Sequence, residues 1–242
     1  DRKALDKQIT VEALQQIEDH NERSNFSTVV YQEDWHKGVI GIVASRLIET
    51  HYKPTLVFTK SGDKLAASAR SVKGFNVYNA LEECSEFIEQ FGGHKYAAGL
   101  TLLPENYKLF KEKFETVVKE RITKELLTPE ILIDAQIELS DISPKFYRII
   151  EQMAPFGPQN LKPIFCTTSV RDNGYGKQVG ADLSHLKLHV FQGVNKHSFG
   201  AIGFGLGSKL ELVKNDFDIV YTLDENIWNG NTAIQLMVKD LK

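Results

Sequence analysis

Between residues 28 and 127, short β-branched runs alternate with segments in which apolar residues recur every three or four positions. Thr28-Val29-Val30-Tyr31 and Thr55-Leu56-Val57-Phe58-Thr59 read as strands, the second set off by Pro54. Between them Ile40, Val43, Ala44, Leu47 and Ile48 share one helical face, giving strand, helix, strand. Residues 64–70 predict the next strand. Val77, Leu81, Cys84, Ile88 and Phe91 then predict a second amphipathic helix, capped by Asn76 and ended by Gly92-Gly93. A strand over 96–103 follows, and after Pro104 a third helix carries Phe110, Phe114, Val117, Val118, Arg121 and Ile122 on one face. This alternation describes an α/β domain. Upstream, Leu5, Ile9, Leu14 and Ile17 mark residues 4–21 as the tail of a helix or a connector with too little apolar surface to stand alone.

After Thr128-Pro129 the texture turns to β, with one clear helix over 144–153. Residues 185–190 alternate strictly, with Leu186, Leu188 and Val190 on one side, and residues 233–239 do the same with Ile234, Leu236 and Val238 inward. Glycines and asparagines punctuate the region, among them Asn173-Gly174, Gly193, Gly203, Gly205, Gly207 and Asn229-Gly230-Asn231. About five short strands in such a length favour a small closed barrel of the oligonucleotide-binding type. The expected organisation is a connector at 1–25, an α/β domain at 26–127 and a mainly β barrel at 128–242.

Composition narrows the function. The chain has 242 residues, 42% hydrophobic and 25% charged, enough for two ordinary cores. No run approaches the length of a membrane span and no secretion signal is visible at the start, so the expected setting is cytoplasmic. Cys84 and Cys166 lie far apart without metal-type spacing and read as apolar residues. A formal net charge of -3 argues against coating nucleic acid by bulk electrostatics, so any such contact must be local. The chain starts at Asp1 and runs straight into a helical pattern, as expected for a piece of a longer protein.

Three segments could carry chemistry. Asp34-Trp35-His36-Lys37-Gly38-Val39-Ile40-Gly41 passes from a strand end through a polar turn into a helix, where backbone amides can meet an anion; a Trp-His pair is also ordinary structure. In Ala66-Ala67-Ser68-Ala69-Arg70-Ser71, Ser68 and Arg70 share one side of a strand among small neighbours. The guanidinium fork fits a phosphate and the hydroxyl adds a neutral donor, although an exposed arginine is by default merely solvated. In Phe91-Gly92-Gly93-His94-Lys95-Tyr96-Ala97-Ala98-Gly99 the glycines can present His94 to a phosphate, or simply end a helix. No carboxylate cluster, Cys/His metal set or nucleophile triad accompanies them, so hydrolysis has no visible engine here. In the β region Arg171, Tyr175, Lys177, His185, Lys187 and His189 interleave basic and aromatic groups that could hold a single strand, diluted by Asp172 and Asp182.

In order, these segments resemble the RecJ exonucleases of the DHH superfamily. The stretches Trp35 to Leu47, Ser68-Ala69-Arg70-Ser71 with Gly74-Phe75, and Phe91 to Leu100 are similar to that family's DHH-associated substrate-binding domain. Ala154-Pro155-Phe156-Gly157 with Asn160 and Pro163, and Trp228-Asn229-Gly230 with Gln235-Leu236 and Lys239-Asp240, are similar to its oligonucleotide-binding domain. Gln159 departs from the pattern, since the family usually has Gly before that Asn. The resemblance implies an α/β DHH-associated domain followed by the barrel, forming the substrate-holding C-terminal part of a single-strand-specific 5'→3' DNA exonuclease acting in repair and recombination. Two Mn or Mg ions would sit in an N-terminal domain that this sequence lacks, and none is expected here. By the same resemblance Ser68 and Arg70 grip a 5' phosphate, His94 with Gly92 and Gly93 faces the scissile phosphate as the catalytic residue, and Trp35, His36, Arg171 and Lys187 bind substrate. Single-stranded DNA is the implied partner, with a single-strand-binding protein or a helicase as candidate protein partners. The alternatives are another DHH-superfamily phosphodiesterase for short oligonucleotides or cyclic dinucleotides, and a stand-alone single-strand-binding module.

Overall fold

The computed structural model describes residues 2–157, 159–193, 197–228 and 230–242. They divide into a first unit ending at Glu130 and a second unit from Ile131 to Lys242.

The first unit is a five-stranded mixed sheet in the order β1 (Thr28–Tyr31), β2 (Thr55–Ser61), β3 (Lys64–Arg70), β5 (Ala97–Leu102), β4 (Gln90–His94). β1 and β2 run parallel, joined by α2 (Ile40–His51), and the other pairs are antiparallel. One face carries Val29, Leu56, Phe58, Ala67, Ala69, Leu100 and Leu102 into a core closed by α3 (Val77–Glu82) and α4 (Tyr107–Arg121), whose Phe110 and Phe114 are fully buried. The opposite face is covered over Val30 and Val57 by α2 and by α1 (Arg2–Asp19). α1 is firmly seated there: Ile9, Ala13 and Ile17 are buried, buried Asp6 accepts twice from Arg46 Nε at 2.9 Å, and the Gln16 amide both donates to Tyr31 O (2.9 Å) and accepts from Tyr31 N (3.0 Å). Two sequence expectations give way here. The apolar residues assigned to a second long helix are buried or half-buried, but α3 ends at Glu82, a 3-10 turn spans Ser85–Phe87, and Gly92-Gly93 lies within strand β4. Glu82, Glu83 and Glu86 would crowd negative charge at a helix C-terminus, and pairing with β5 gives residues 90–94 their backbone partners instead.

The second unit contains β6 (Ala135–Gln136), α5 (Pro144–Glu151), β7 (Phe165–Asp172), β8 (Lys177–Val179), β9 (His185–Gln192), β10 (His197–Gly203), β11 (Phe217–Trp228) and β12 (Asn231–Leu241). The sheet order β6-β7-β11-β12-β10-β9-β8 closes through an extra β7–β9 pairing, and β10 and β12 run parallel. The result is a five-stranded barrel of the oligonucleotide-binding type with β6 and β8 added. Inward residues alternate as expected: Leu186, Leu188, Val190, Ala201, Leu223 and Leu236 are buried. Gln159 takes φ 69°, the left-handed region that favours glycine, so the backbone keeps the conformation although the residue differs. Asn160 ties that turn by donating to Met153 O and Pro155 O at 2.9 Å each. Asn229 of the Trp-Asn-Gly motif lies outside the described residues.

Candidate nucleic-acid interface

Sheet register assembles the first site. Arg70 pairs with Ala97, which pairs with His94; Ser68 pairs with Gly99, which pairs with Gly92; Ala66 pairs with Thr101, which pairs with Gln90. Because side chains alternate along each strand, these three rungs point to one face, the part of the sheet beside α2. Ala97, Gly99 and Gly92 raise little or nothing above the sheet, so a trough runs between Arg70 and His94, roughly 10 Å apart across two strand spacings. α2 forms one wall at its N-terminal turn. A methyl built on Gly41 would lie 2.9 Å from Arg70 Nη2 and 3.3 Å from Ser68 Oγ, so glycine there lets guanidinium and hydroxyl press against the helix start. Arg70 Nη1 donates to Ala69 O at 2.8 Å, which steadies the fork, and no carboxylate pairs with it among the described residues. A forked cation, a hydroxyl and a helix N-terminus converging on open space suit a phosphate.

His94 is exposed at the end of β4. Its turn is anchored where Val77 N donates to Lys95 O (3.0 Å) and Ser71 N to Tyr96 O (3.1 Å), tying the hairpin to α3 and the end of β3. The two glycines before it differ in kind. Gly93 has φ 145°, and a methyl there would strike Ala97 O at 2.4 Å, so the hairpin requires it. At Gly92 an added methyl would meet nothing within 4 Å.

Trp35 departs from the substrate-binding expectation. It is only 5% exposed, packs among Val39, Ile40, Val43 and Val57, and its indole N–H donates to Glu12 Oε2 at 2.8 Å. An aromatic so enclosed, with its one donor occupied, supports the loop from beneath and leaves contact to its neighbours. His36 is exposed; its Nδ1 accepts from Gly38 N–H at 3.0 Å, so the neutral ring carries its proton on Nε2. Lys37, which the sequence motifs left unassigned, lines a depression of about 440 Å³ with Ile40, Ser68, Gln90, Gly92, Gly99 and Thr101. Gln90 and Thr101 were likewise missed, because their placement depends on β4 being a strand.

On the barrel, register sets Lys177 directly across from Lys187. Both are exposed, and neither has an ion-pair partner among the described residues. With Tyr175, 76% exposed, and His189 they line a groove of about 570 Å³. It shares His189 and Gly200 with a neighbouring groove of about 610 Å³ that reaches Arg148, Ser198 and Thr232. Arg171 does not join this set. Its guanidinium forms a two-pronged pair with Asp216, Nη2 to Oδ2 at 3.1 Å, and that bond holds the Asp216 carboxyl below the usual range. Asp172 does not repel a ligand as the sequence suggested, because its oxygens accept from Gly174 N (2.8 Å), Gly176 N (2.8 Å) and His189 N (3.0 Å) and shape the loop. His185 Nδ1 is engaged with Gly205 N at 3.2 Å.

Divalent ions such as Mn and Mg need converging oxygen or imidazole donors. Among the described residues no group of three or more His, Cys, Asp or Glu side chains is placed to hold a metal ion, so the donor set does not fit one. Among the same residues no helix is long and apolar enough to cross a membrane.

Residues 24–120 match the family model for the DHHA1 domain, and residues 133–240 match that for the RecJ OB domain. The chain is 29% identical over 245 residues to the single-stranded-DNA-specific exonuclease RecJ of Bacillus subtilis (strain 168), covering 99% of this chain and 30% of that protein. Against the protein of the same name from Escherichia coli (strain K12) it is 27% identical over 253 residues, covering 99% and 43% respectively. The crystal structure of RecJ in complex with Mn2+ from Thermus thermophilus shares the fold with a TM-score of 0.79 at 22% identity, covering 100% of this chain and 34% of that one. The chain thus spans less than half the length of these relatives.

Proposed function

Because the chain belongs to the RecJ family, as the C-terminal part carrying its DHHA1 and OB domains, we propose that it holds the 5' end of single-stranded DNA for cleavage elsewhere in the full protein. The observation that carries this reading is the placing of Ser68, Arg70 and His94 on one open sheet face beside the start of α2. Arg70 and Ser68 take the 5' phosphate, with the positive end of α2 adding to the attraction. His94 meets a following phosphate across the trough and donates to it as charge develops, which makes it the catalytic residue of this chain. His36 offers a further donor at the rim. The barrel then takes the emerging strand, Lys177 and Lys187 pairing with phosphate and Tyr175 stacking on a base.

In the full protein, hydrolysis proceeds 5'→3' with Mn or Mg ions held by residues outside this chain, in the service of DNA repair and recombination. The barrel favours this reading over a short-oligonucleotide phosphodiesterase, since a long strand needs a second hold. A cytoplasmic setting suits such a substrate, and a single-strand-binding protein or a helicase suits the delivery of single strands to it. The test is Arg70→Ala in the full-length protein. It should weaken action on 5'-phosphorylated ends more than on 5'-hydroxyl ends, whereas equal losses would remove Arg70 from the end-binding role.

A further inference from the structure

We propose that the depression beside Ser68 is a subsite for the terminal nucleobase of the bound strand, with Gln90 and Thr101 as the residues that engage its edge. The inference rests on the 5'-phosphate reading above and adds to it a contact to the nucleoside. The depression is not centred on Arg70 or His94: it lies over the rungs Ser68–Gly99–Gly92 and Ala66–Thr101–Gln90, and Ser68 belongs both to the phosphate grip and to its lining. Two residues along β3 separate those rungs by about 7 Å. A nucleotide anchored by its phosphate at Ser68 can therefore lay its base over the second rung.

The chemistry of the lining favours a base over a second phosphate. The floor is the flat peptide backbone at Gly92 and Gly99, and Ile40 supplies an apolar wall. Gln90 offers both a donor and an acceptor, Thr101 a hydroxyl, and neither side chain makes a hydrogen bond among the described residues. Lys37 is the cation of the lining, and its ammonium lies 3.2 Å from Ser61 Oγ at the margin. Neither floor glycine is there for backbone reasons. Both avoid positive φ, a methyl on Gly92 would meet nothing within 4 Å, and one on Gly99 would meet only Ala67 O at 3.8 Å. Glycine weakens a strand, and here its bareness keeps open the space a planar group would fill.

The experiment uses the 242-residue chain and a short single strand labelled at its 3' end. The strand carries either a 5' phosphate or a 5' hydroxyl, and its terminal nucleoside is either intact or abasic. Removing the terminal base should weaken binding by at least about fivefold, the low end for one engaged base. The double variant Gln90→Ala/Thr101→Val, and separately Gly92→Val, which adds a side chain over the floor, should erase that difference. Both should keep the dependence on 5' phosphate, while Arg70→Ala loses it. If wild type depends on the phosphate but is indifferent to the base, the subsite is overturned and the phosphate grip stands. Indifference to both would remove the grip and the subsite together.

Discussion

The barrel makes a quantitative statement about which cations touch DNA. Lys177 and Lys187 face each other across β8 and β9 with no intramolecular partner among the described residues, whereas Arg171 is neutralised by Asp216. On a single strand each phosphate contact contributes about 0.7 to the slope of log affinity against log salt, so Lys177→Gln/Lys187→Gln should flatten that slope by about 1.4. Between about 50 and 200 mM salt the wild type should then lose about sevenfold more affinity than the variant. The matched control is Arg171→Gln/Asp216→Asn, which deletes an ion pair at constant net charge and should leave the slope unchanged. Fluorescence anisotropy of a labelled single strand over a salt series reads both. A control that flattens the slope as much as the lysine variant would refute the assignment, as would a lysine variant with the wild-type slope.

Three further outcomes follow from the geometry. In the full-length protein His94→Ala should lower turnover more than substrate affinity, since a contact to developing charge acts on the rate constant; a pure rise in the dissociation constant would demote His94 to binding. Trp35→Ala should destabilise the chain by about 3–5 kcal/mol in urea unfolding, because it empties a buried site and strands the Glu12 acceptor; a loss below about 1 kcal/mol would contradict the packing role. His51 has a buried Nε2 with no hydrogen-bond partner among the described residues, and burial, followed by Lys53 and Arg23, lowers its pKa from 6.5. The unfolded chain therefore binds more protons as pH falls, so the contribution of neutral His51 is complete above 6.5 and is lost toward its lower folded value. His51→Gln should flatten the stability profile below pH 6.5, and an unchanged profile would assign that slope to other groups.

Much of this was legible from patterning, for reasons visible in particular elements. The runs at 28–31, 64–70 and 185–190 announce strands because alternation or β-branching coincides with one buried face. Residues 77–91 misled because apolar spacing reports burial, and Ile88 and Phe91 do pack on the core, but from a turn and an edge strand. Pairing with β5 is a non-local choice that periodicity cannot see, and with it went the placement of Gln90, Thr101 and the floor glycine Gly92. The same blindness affected charge. Arg171 and Asp172 look available in sequence, and only the fold reveals that Asp216 and three backbone amides already engage them. Trp35 reads as a motif residue, yet its motif position reflects support of a loop from the buried side.

The central claim is that the sheet face of the first unit receives a phosphorylated strand end. Titrating the isotopically labelled chain with a short 5'-phosphorylated single strand, and following backbone amide resonances, tests it without any need for cleavage. The account predicts that the largest shifts fall on Lys37 to Gly41, Ser68 to Arg70 and Gly92 to His94, and that they shrink when the 5' phosphate is replaced by hydroxyl. Shifts confined to the barrel, or identical for the two strands, would contradict it.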